Sequence, residues 1–414
     1  MLLSRYSIRK CIFLFCSFMV FHSAGSQNKS FDYSFYGFVR GDLYYNTRSN
    51  MENVDGLFYL YPRDISPDAD GKDQNATPNS SFYTFTTRLG LNIKGPDIGS
   101  AKASAKIESD FGGTSNIVFM LRLRQAYVKL DWDSGSSLLL GQTWHPLFGE
   151  IIPDILNLST GSPFQPFNRS PQLYYQYNNG GLKLKASAIY QLVYSSNGPL
   201  GNSQSYLKNG ILPEIYLGAD YKNNNFLIGA GVDMLSIKPR LQSVVNNNTF
   251  LVNERATSLS YDLHATYTHD KLKVSAKSLL ASNLSHTVML GGYGITDINS
   301  RTGEQKYTPF RHSTSWLNLV YGKKYQGGLF AGYTKNLGTS KELVNNTKYG
   351  MGLDMDQLTN FSFYLKHNLP HWSIGLEYTL TTAWYGETNL TNGKVINTHD
   401  VSNHRIESVF VYTF

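Results

Sequence analysis

The feature that most constrains this chain is an alternation of apolar and polar residues with a period of two, which returns in segment after segment. In the segment Tyr33–Tyr45, Val39 and Leu43 fall on one face, whereas Arg40 and Asp42 fall on the other. The same pattern returns in Phe82–Lys94, Ala101–Asp110, Leu182–Gln191 and Leu272–Leu280. Because successive side chains of a strand point in opposite directions, this pattern predicts β-strands with one apolar face.

One of these segments defines its apolar face in detail. In Phe82–Lys94 the alternation predicts one shared face for five residues, Tyr83, Phe85, Leu89, Leu91 and Ile93. The chain also contains 29 Tyr and 23 Phe against 16% charged residues. Aromatic residues near strand ends are typical of the girdles of membrane-spanning barrels.

The connections between the predicted strands alternate strictly between short and long. The short turns lie at 95–99, 131–135, 178–181, 222–225, 268–270, 322–326 and 368–371. The long polar stretches lie near 46–80, 112–118, 145–171, 195–210, 238–254, 284–310, 336–354 and 385–402. Seven turns and eight loops connect sixteen strands, which predicts an all-β, transmembrane, antiparallel up-and-down β-barrel. A barrel of sixteen strands encloses an aqueous channel.

The first 26 residues have the pattern of a secretory signal peptide. Arg5, Arg9 and Lys10 form a basic region, Cys11–Phe21 forms an apolar core, and small residues up to Ser26 suit cleavage. Both cysteines of the chain lie in this leader, so we expect no disulfide in the mature protein. Removal of the leader lowers the net charge from +7 to +4, a modest value that gives no support to nucleic-acid binding. Residues 27–414 are therefore predicted to form a single barrel domain without a plug.

The last strand carries a second signal. In His404–Phe414, four apolar residues share one face and the chain ends on an aromatic residue. This ending resembles the signal that the bacterial barrel-assembly machinery recognises in outer-membrane proteins. The residues predicted to form that assembly signal are Phe410, Tyr412 and Phe414.

A family resemblance rests on the segment Arg124–Trp144, which reads RQAYVKLDWDSGSSLLLGQTW. It resembles a strand–turn–strand of Gram-negative general porins, and the GQTW ending is most similar to the DcaP-like porins. The segment departs from the general pattern at Gln142, where many porins carry an arginine. The resemblance implies a homotrimer of sixteen-stranded barrels, each with a third loop folded into its lumen.

The third loop is predicted to span His145–Gln172 and to follow the fifth strand. Its apolar run Ile151–Leu158 and its phenylalanines favour burial, which is unusual for a surface loop. The inner wall of the barrel could bury this segment. Packing over the barrel rim is the alternative that the sequence leaves open.

A porin constriction needs acidic groups on the inserted loop and basic groups on the facing wall. The loop acids are Glu150 and Asp154. The candidate wall bases are Arg40, Arg88, Lys106, Arg122 and Arg124. Any of them could instead only solvate the lumen. Arg122 and Arg124 have the parity of a lipid-facing residue, so a β-bulge or a position above the membrane is needed to bring them inward.

Metal and catalytic motifs are weak. Asp68, Asp70 and Asp73 have a spacing that could suit a structural calcium ion, but the later Glu of the full calcium-loop pattern is absent, which favours a solvated acidic loop. The histidines form no paired ligand motif, and no other cofactor and no enzymatic activity are expected.

The sequence therefore predicts a porin of the outer membrane of a Gram-negative bacterium, through which small hydrophilic solutes diffuse passively. A substrate-selective channel for a sugar, a dicarboxylate or phosphate, and a surface receptor or adhesin, are the alternatives. The expected partners are outer-membrane lipid, lipopolysaccharide and the barrel-assembly machinery. The balance of lumen charges predicts a pore that is weakly anion-preferring or near neutral.

Overall fold

A computed structural model describes residues 31–54, 56–113 and 120–414, so the predicted leader lies outside the described residues. Within the described residues, sixteen antiparallel strands form one closed sheet. The first eight are Asp32–Asn46 (β1), Asn79–Tyr83 with Arg88–Lys94 (β2), Ala101–Asp110 (β3), Arg122–Trp132 (β4), Ser136–Trp144 (β5), Arg169–Asn179 (β6), Leu182–Ile189 (β7) and Glu214–Lys222 (β8). The others are Phe226–Ile237 (β9), Ala256–His269 (β10), Leu272–Ser282 (β11), Gln305–Gly322 (β12), Tyr325–Thr339 (β13), Met355–Leu369 (β14), Trp372–Thr388 (β15) and Val395–Thr413 (β16).

The sheet closes where β1 pairs with β16. Val39 lies opposite Tyr412, and Asn46 lies opposite Arg405. On its other side β1 pairs with both segments of β2. Closure leaves no row of unpaired backbone groups, which is the condition for a sheet to cross a bilayer. The predicted sixteen-stranded barrel is confirmed.

The predicted division into an apolar outer face and a polar inner face is also confirmed. Phe35 is 79% exposed and Leu263 is 57% exposed on the outer surface. Side chains of opposite parity point inward, and Asp42 and Glu377 there are 0% and 1% exposed. An outer surface of exposed apolar side chains is what contact with lipid requires.

In β2 the predicted face was wrong for two residues. Phe82 points outward and is 52% exposed, whereas Tyr83 and Phe85 point inward. The reason is a turn between the two segments of β2, in which the N–H of Thr87 donates to the carbonyl of Thr84. This turn interrupts the period of two, so residues before and after it no longer share a face.

The described strands are joined by seven short turns at one end of the barrel and eight loops at the other, as predicted, but the eighth loop spans only residues 389–394 instead of 385–402, because β15 and β16 extend to Thr388 and from Val395. Loop 1 spans residues 47–78 and contains a hairpin of Asn50–Asn53 and Phe58–Pro62. Loop 3 spans residues 145–168, four residues fewer than predicted, because β6 already begins at Arg169. In the part of the chain that the structure describes, no helix is long and apolar enough to cross a membrane.

The largest hydrophobic cluster among the described residues lies inside the barrel. Loop 1 contributes Phe58 and Leu60, loop 3 contributes Ile151 and Phe164, and β12 contributes Trp316. All of these side chains are less than 5% exposed. One side of the lumen is therefore filled by a dry core rather than by water.

Candidate pore constriction

Loop 3 folds into the lumen and is fixed at its base and middle. The Nζ of Lys277 on β11 donates to the carbonyl of Leu147 at 2.5 Å. Further along, the N–H of Asp154 donates to Oδ1 of Asn318 at 2.9 Å, and the Asp154 carboxylate accepts from Gln326 on β13 at 3.0 Å. The loop thus follows the inner wall instead of the rim.

The tip of loop 3 is held by charged groups on β1, β15 and β16. The carboxylate of Glu377 accepts the N–H groups of Leu156 and Asn157 at 2.6 and 3.2 Å. The side-chain amide of Asn157 donates to Glu407 at 2.7 Å, and Arg40 donates to the carbonyl of Leu156 at 2.7 Å. These four hydrogen bonds fix the tip of loop 3 to three strands.

Apolar packing completes the attachment of loop 3. Phe164 lies against Gly332 on β13, where an added Cβ would come within 2.6 Å of its ring. The indole N–H of Trp316 donates to Gln165 at 3.0 Å. The inward-folded third loop is therefore confirmed, and the predicted alternative of packing over the rim is wrong.

A β-bulge places Arg124 on the lumen side. The pairing of β3 with β4 shifts between Glu108 and Ser109, so that Leu123 points outward while Arg124 and Gln125 are both buried. Strict alternation along β4 would place Arg124 toward lipid, and this bulge explains why its side chain lies inside the barrel instead.

Arg122 and Arg124 are both neutralised by acidic groups of β3. Arg122 donates to both carboxylate oxygens of Asp110 at 2.9 Å. Arg124 donates to Glu108 at 2.9 Å and to Asp110 at 2.7 Å, and its side chain is 5% exposed. The role of both arginines in the constriction stays a prediction. The carboxylates of Glu108 and Asp110 compensate most of their charge.

Arg88 and Lys106 are partly exposed on the inner wall of β2 and β3. Their side chains are 21% and 23% exposed, and their nearest carboxylate, Glu108, lies 3.8 and 3.9 Å away. Each cation lies over an aromatic ring, Arg88 over Phe38 at 4.8 Å and Lys106 over Tyr36 at 5.1 Å. Among the predicted wall bases, these two remain accessible to a solute.

The loop acids lie against walls other than the predicted one. Glu150 forms an ion pair with Lys183 on β7. Asp154 faces β13 and β14, with its carboxylate 3.8 Å from Lys366. Arg40 is the predicted wall base that contacts loop 3, but it does so through a backbone carbonyl and pairs with Asp42 at 2.5 Å.

Two cavities follow the inner wall beside loop 3. The first has a volume of about 240 Å³ and is bordered by Tyr127, Trp144, Tyr174 and Lys185. The second, of about 500 Å³, reaches the short turns at the other end of the barrel. Glu150 borders both. The open part of the lumen therefore runs along β4 to β8, opposite the dry core.

Sequence reasoning missed the hairpin of loop 1, which enters the lumen above loop 3. Residues 56–62 are all buried, although they belong to a long external loop. The run Leu57–Tyr61, five consecutive apolar residues, was the signal that could have indicated this burial.

A buried cluster at the root of loop 3 was also missed, because its members are far apart in sequence. Nε2 of His145 and Nε2 of His286 lie 3.2 and 2.8 Å from the same oxygen of Glu214. Among the described residues, this trio is the group whose donor atoms lie close enough to hold a metal ion. However, Nδ1 of His145 accepts the N–H of Leu147 at 3.1 Å. A neutral imidazole then carries its proton on Nε2, so these contacts favour a hydrogen-bonded core over a metal centre.

Two of the three candidate calcium ligands, Asp68 and Asp73, bind other groups of loop 1. Asp68 accepts the N–H groups of Asp70 and Lys72. Asp73 pairs with Arg48 at 2.6 Å. Burial alone would raise the pKa of Asp73. The hydrogen bonds from the N–H of Ser66 and from the Arg48 guanidinium outweigh this effect, so the pKa lies below its ordinary value. The calcium ion stays a prediction.

The three residues of the predicted assembly signal point outward at the barrel seam. Phe410, Tyr412 and Phe414 are 41%, 39% and 52% exposed. Phe414 also exchanges two backbone hydrogen bonds of 3.1 Å with Gly37. The C-terminal residue therefore takes part in closing the barrel.

No protein-family model matches this sequence, and no curated protein sequence matches it. Solved structures do match. The outer membrane channel DcaP of Acinetobacter baumannii is 17% identical, covers 95% of this chain and 100% of its own, and has a TM-score of 0.62. OmpT of Vibrio cholerae is 11% identical, with 94% and 100% covered and a TM-score of 0.56. The anion-selective porin from Comamonas acidovorans is 12% identical, with 93% and 100% covered and a TM-score of 0.52. At these identities the shared property is the fold, which is that of outer-membrane porins.

Proposed function

We propose that this chain is an outer-membrane porin through which small hydrophilic solutes diffuse, with a weak preference for anions. One observation carries the proposal: loop 3 narrows a closed sixteen-stranded barrel and leaves an open passage beside it. A passage with charged walls and a narrowed section sorts solutes by size and charge without a catalytic group. No reaction is assigned to the chain.

The preference for anions follows from which charges remain accessible. Arg88 and Lys106 have exposed fractions of 21% and 23%. The nearby acids Glu108 and Asp110 are buried, with exposed fractions of only 3% and 2%. In a narrow pore with low-dielectric walls, accessible fixed charges attract counter-ions more strongly than on an open surface.

The test is ion conduction by the purified protein in planar bilayers. Stepwise conductance and a reversal potential of anion-selective sign in a potassium chloride gradient are expected. A folded protein that inserts but conducts no ions would overturn the proposal. A cation-selective potential would leave the channel and overturn the charge preference.

A second candidate is a channel selective for one class of solute. The 240 Å³ cavity favours it, since Tyr127, Trp144 and Tyr174 line this cavity beside Lys129 and Lys185. Aromatic faces beside cations can hold a solute that a plain water-filled pore would pass without binding. Liposome swelling across matched neutral and anionic solutes tests it. Rates that depend on size alone would exclude selectivity.

The assembly is proposed from the same fold. We expect a homotrimer in outer-membrane lipid and lipopolysaccharide, inserted by the barrel-assembly machinery. Mass measurement of the detergent-solubilised protein, before and after boiling, tests the trimer. A monomeric mass in mild detergent would contradict it.

A further inference from the structure

We propose that the hairpin of loop 1 is a second constriction element, and that Arg405 and Glu407 on β16 couple it to loop 3. The inference rests on the proposed function, since a constriction has meaning only in a conducting pore. Arg405 and Glu407 would then position loop 1 and loop 3 relative to each other.

The hairpin lies inside the barrel rather than on its surface. Leu57, Tyr59 and Tyr61 are 0%, 3% and 4% exposed. The hairpin of loop 5, formed by Gln242–Val245 and Asn248–Leu251, provides the contrast, because its Leu251 is 85% exposed. Two hairpins of similar size in external loops thus have opposite environments.

The hairpin packs on loop 3 and on the wall of β15. The ring of Phe58 meets the ring of Phe167 edge-on at 4.8 Å. The hydroxyl of Tyr385 donates to the carbonyl of Pro62 at 2.7 Å. These contacts fix the hairpin over the inserted loop, where it occupies space that solutes would otherwise enter.

Arg405 holds the turn of the hairpin. It donates to the carbonyl of Gly56 at 3.2 Å, and its guanidinium lies 4.0 Å from the ring centre of Tyr44 and 5.5 Å from that of Tyr59. Gly56 has a φ of +78°, and a Cβ there would lie 2.1 Å from the Tyr44 hydroxyl. Only glycine fits this position, so the turn is seated closely against the wall.

Glu407 links this arrangement to loop 3. One of its oxygens accepts from Nε of Arg405 at 2.9 Å and from the side-chain amide of Asn157 at 2.7 Å. Glu407 and Arg405 are each 1% exposed. In this dry site Arg405, Glu407 and Asn157 form one hydrogen-bonded network. A displacement of either loop therefore changes the hydrogen bonds that hold the other loop.

The first experiment shortens loop 1. Asn50 and Pro62 face each other at the base of the hairpin, so two glycines can replace residues 51–61. We expect the single-channel conductance to rise on the order of twofold, because conductance depends on the open cross-section. In the matched control, two glycines replace residues 243–250 of loop 5, between the paired Gln242 and Leu251, and conductance should not change.

The second experiment tests the coupling. Arg405→Met should increase open-channel current fluctuations in the full-length protein, since loop 1 loses its hydrogen bond to Arg405 and Glu407 loses the partner that orients it toward Asn157 of loop 3. The same substitution should have a much smaller effect after loop 1 is shortened, because one partner of the network is gone. Arg311→Met, which removes an exposed arginine of β12, is the control and should change neither.

The outcomes separate this inference from the proposed function. An unaltered protein that does not conduct would refute the porin itself. Conduction that is equal before and after loop 1 is shortened would refute the second constriction alone. Equal effects of Arg405→Met in the long and short proteins would refute the coupling. If Arg405→Met fails to assemble, the shortened loop still tests the constriction.

Discussion

The carboxylate of Glu377 accepts the backbone N–H of Leu156 at 2.6 Å, although the two residues are 221 positions apart. This bond fixes the tip of loop 3 to the first half of β15. Its partner strand presents Glu407 directly opposite Glu377, and both side chains are 1% exposed. The position of the inserted loop therefore depends on buried acids of the last two strands.

We expect Glu377→Gln to loosen the tip of loop 3. The amide keeps one acceptor oxygen but turns its NH₂ group toward a backbone N–H, so one of the two hydrogen bonds is lost. Larger open-channel current fluctuations in planar bilayers are the expected result. Glu387→Gln, an exposed residue on the same strand, is the control. Identical current traces for both variants would show that Glu377 does not hold the loop.

Removal of the Arg124 side chain should destabilise the barrel. Arg124→Met removes one charged donor from each of the buried carboxylates of Glu108 and Asp110, while Asp110 keeps its two hydrogen bonds from Arg122, so the loss should cost about 1.5–3 kcal/mol of unfolding free energy. Urea unfolding in detergent micelles measures the loss. Lys102→Met breaks the exposed pair with Asp133 and should have no measurable effect. Equal stability of the two variants would contradict the burial argument.

Neutralisation of the accessible bases should change ion selectivity. The double variant Arg88→Gln with Lys106→Gln removes two lumen cations that lie about 4 Å from their nearest carboxylate, so the reversal potential should move toward cation selectivity. Glu150→Gln should move it the other way. Lys94→Gln serves as the control, since that side chain is 80% exposed. An unchanged reversal potential in all variants would place the selective charges elsewhere.

The C-terminal aromatic side chain should matter for assembly. Phe414→Ser keeps the two backbone hydrogen bonds with Gly37 but removes the exposed ring, so a lower yield in the outer membrane with unchanged synthesis is expected. Phe414→Tyr should restore the yield. Quantitative blotting of membrane fractions measures both. Equal yields of all three proteins would show that the ring is not an assembly signal.

The sequence determined the barrel because a strand pattern is local. The alternation in Tyr33–Tyr45 reports directly which side chains face lipid, and the exposed Val39 and buried Asp42 agree with it. The order of short and long connections was enough to count the strands. The prediction failed where the period itself was interrupted, at the turn around Thr84 and Thr87.

The tertiary structure alone decided what fills the barrel. Nothing in the sequence around Leu156 indicates that it will contact Glu377. The two residues come together only because loop 3 folds across the lumen and reaches a strand that is distant in sequence. The bulge that turns Arg124 inward shows the same limit, since it depends on register with Glu108 on a neighbouring strand. Local periodicity specifies faces, whereas the constriction consists of contacts between faces, and those exist only once the sheet has closed.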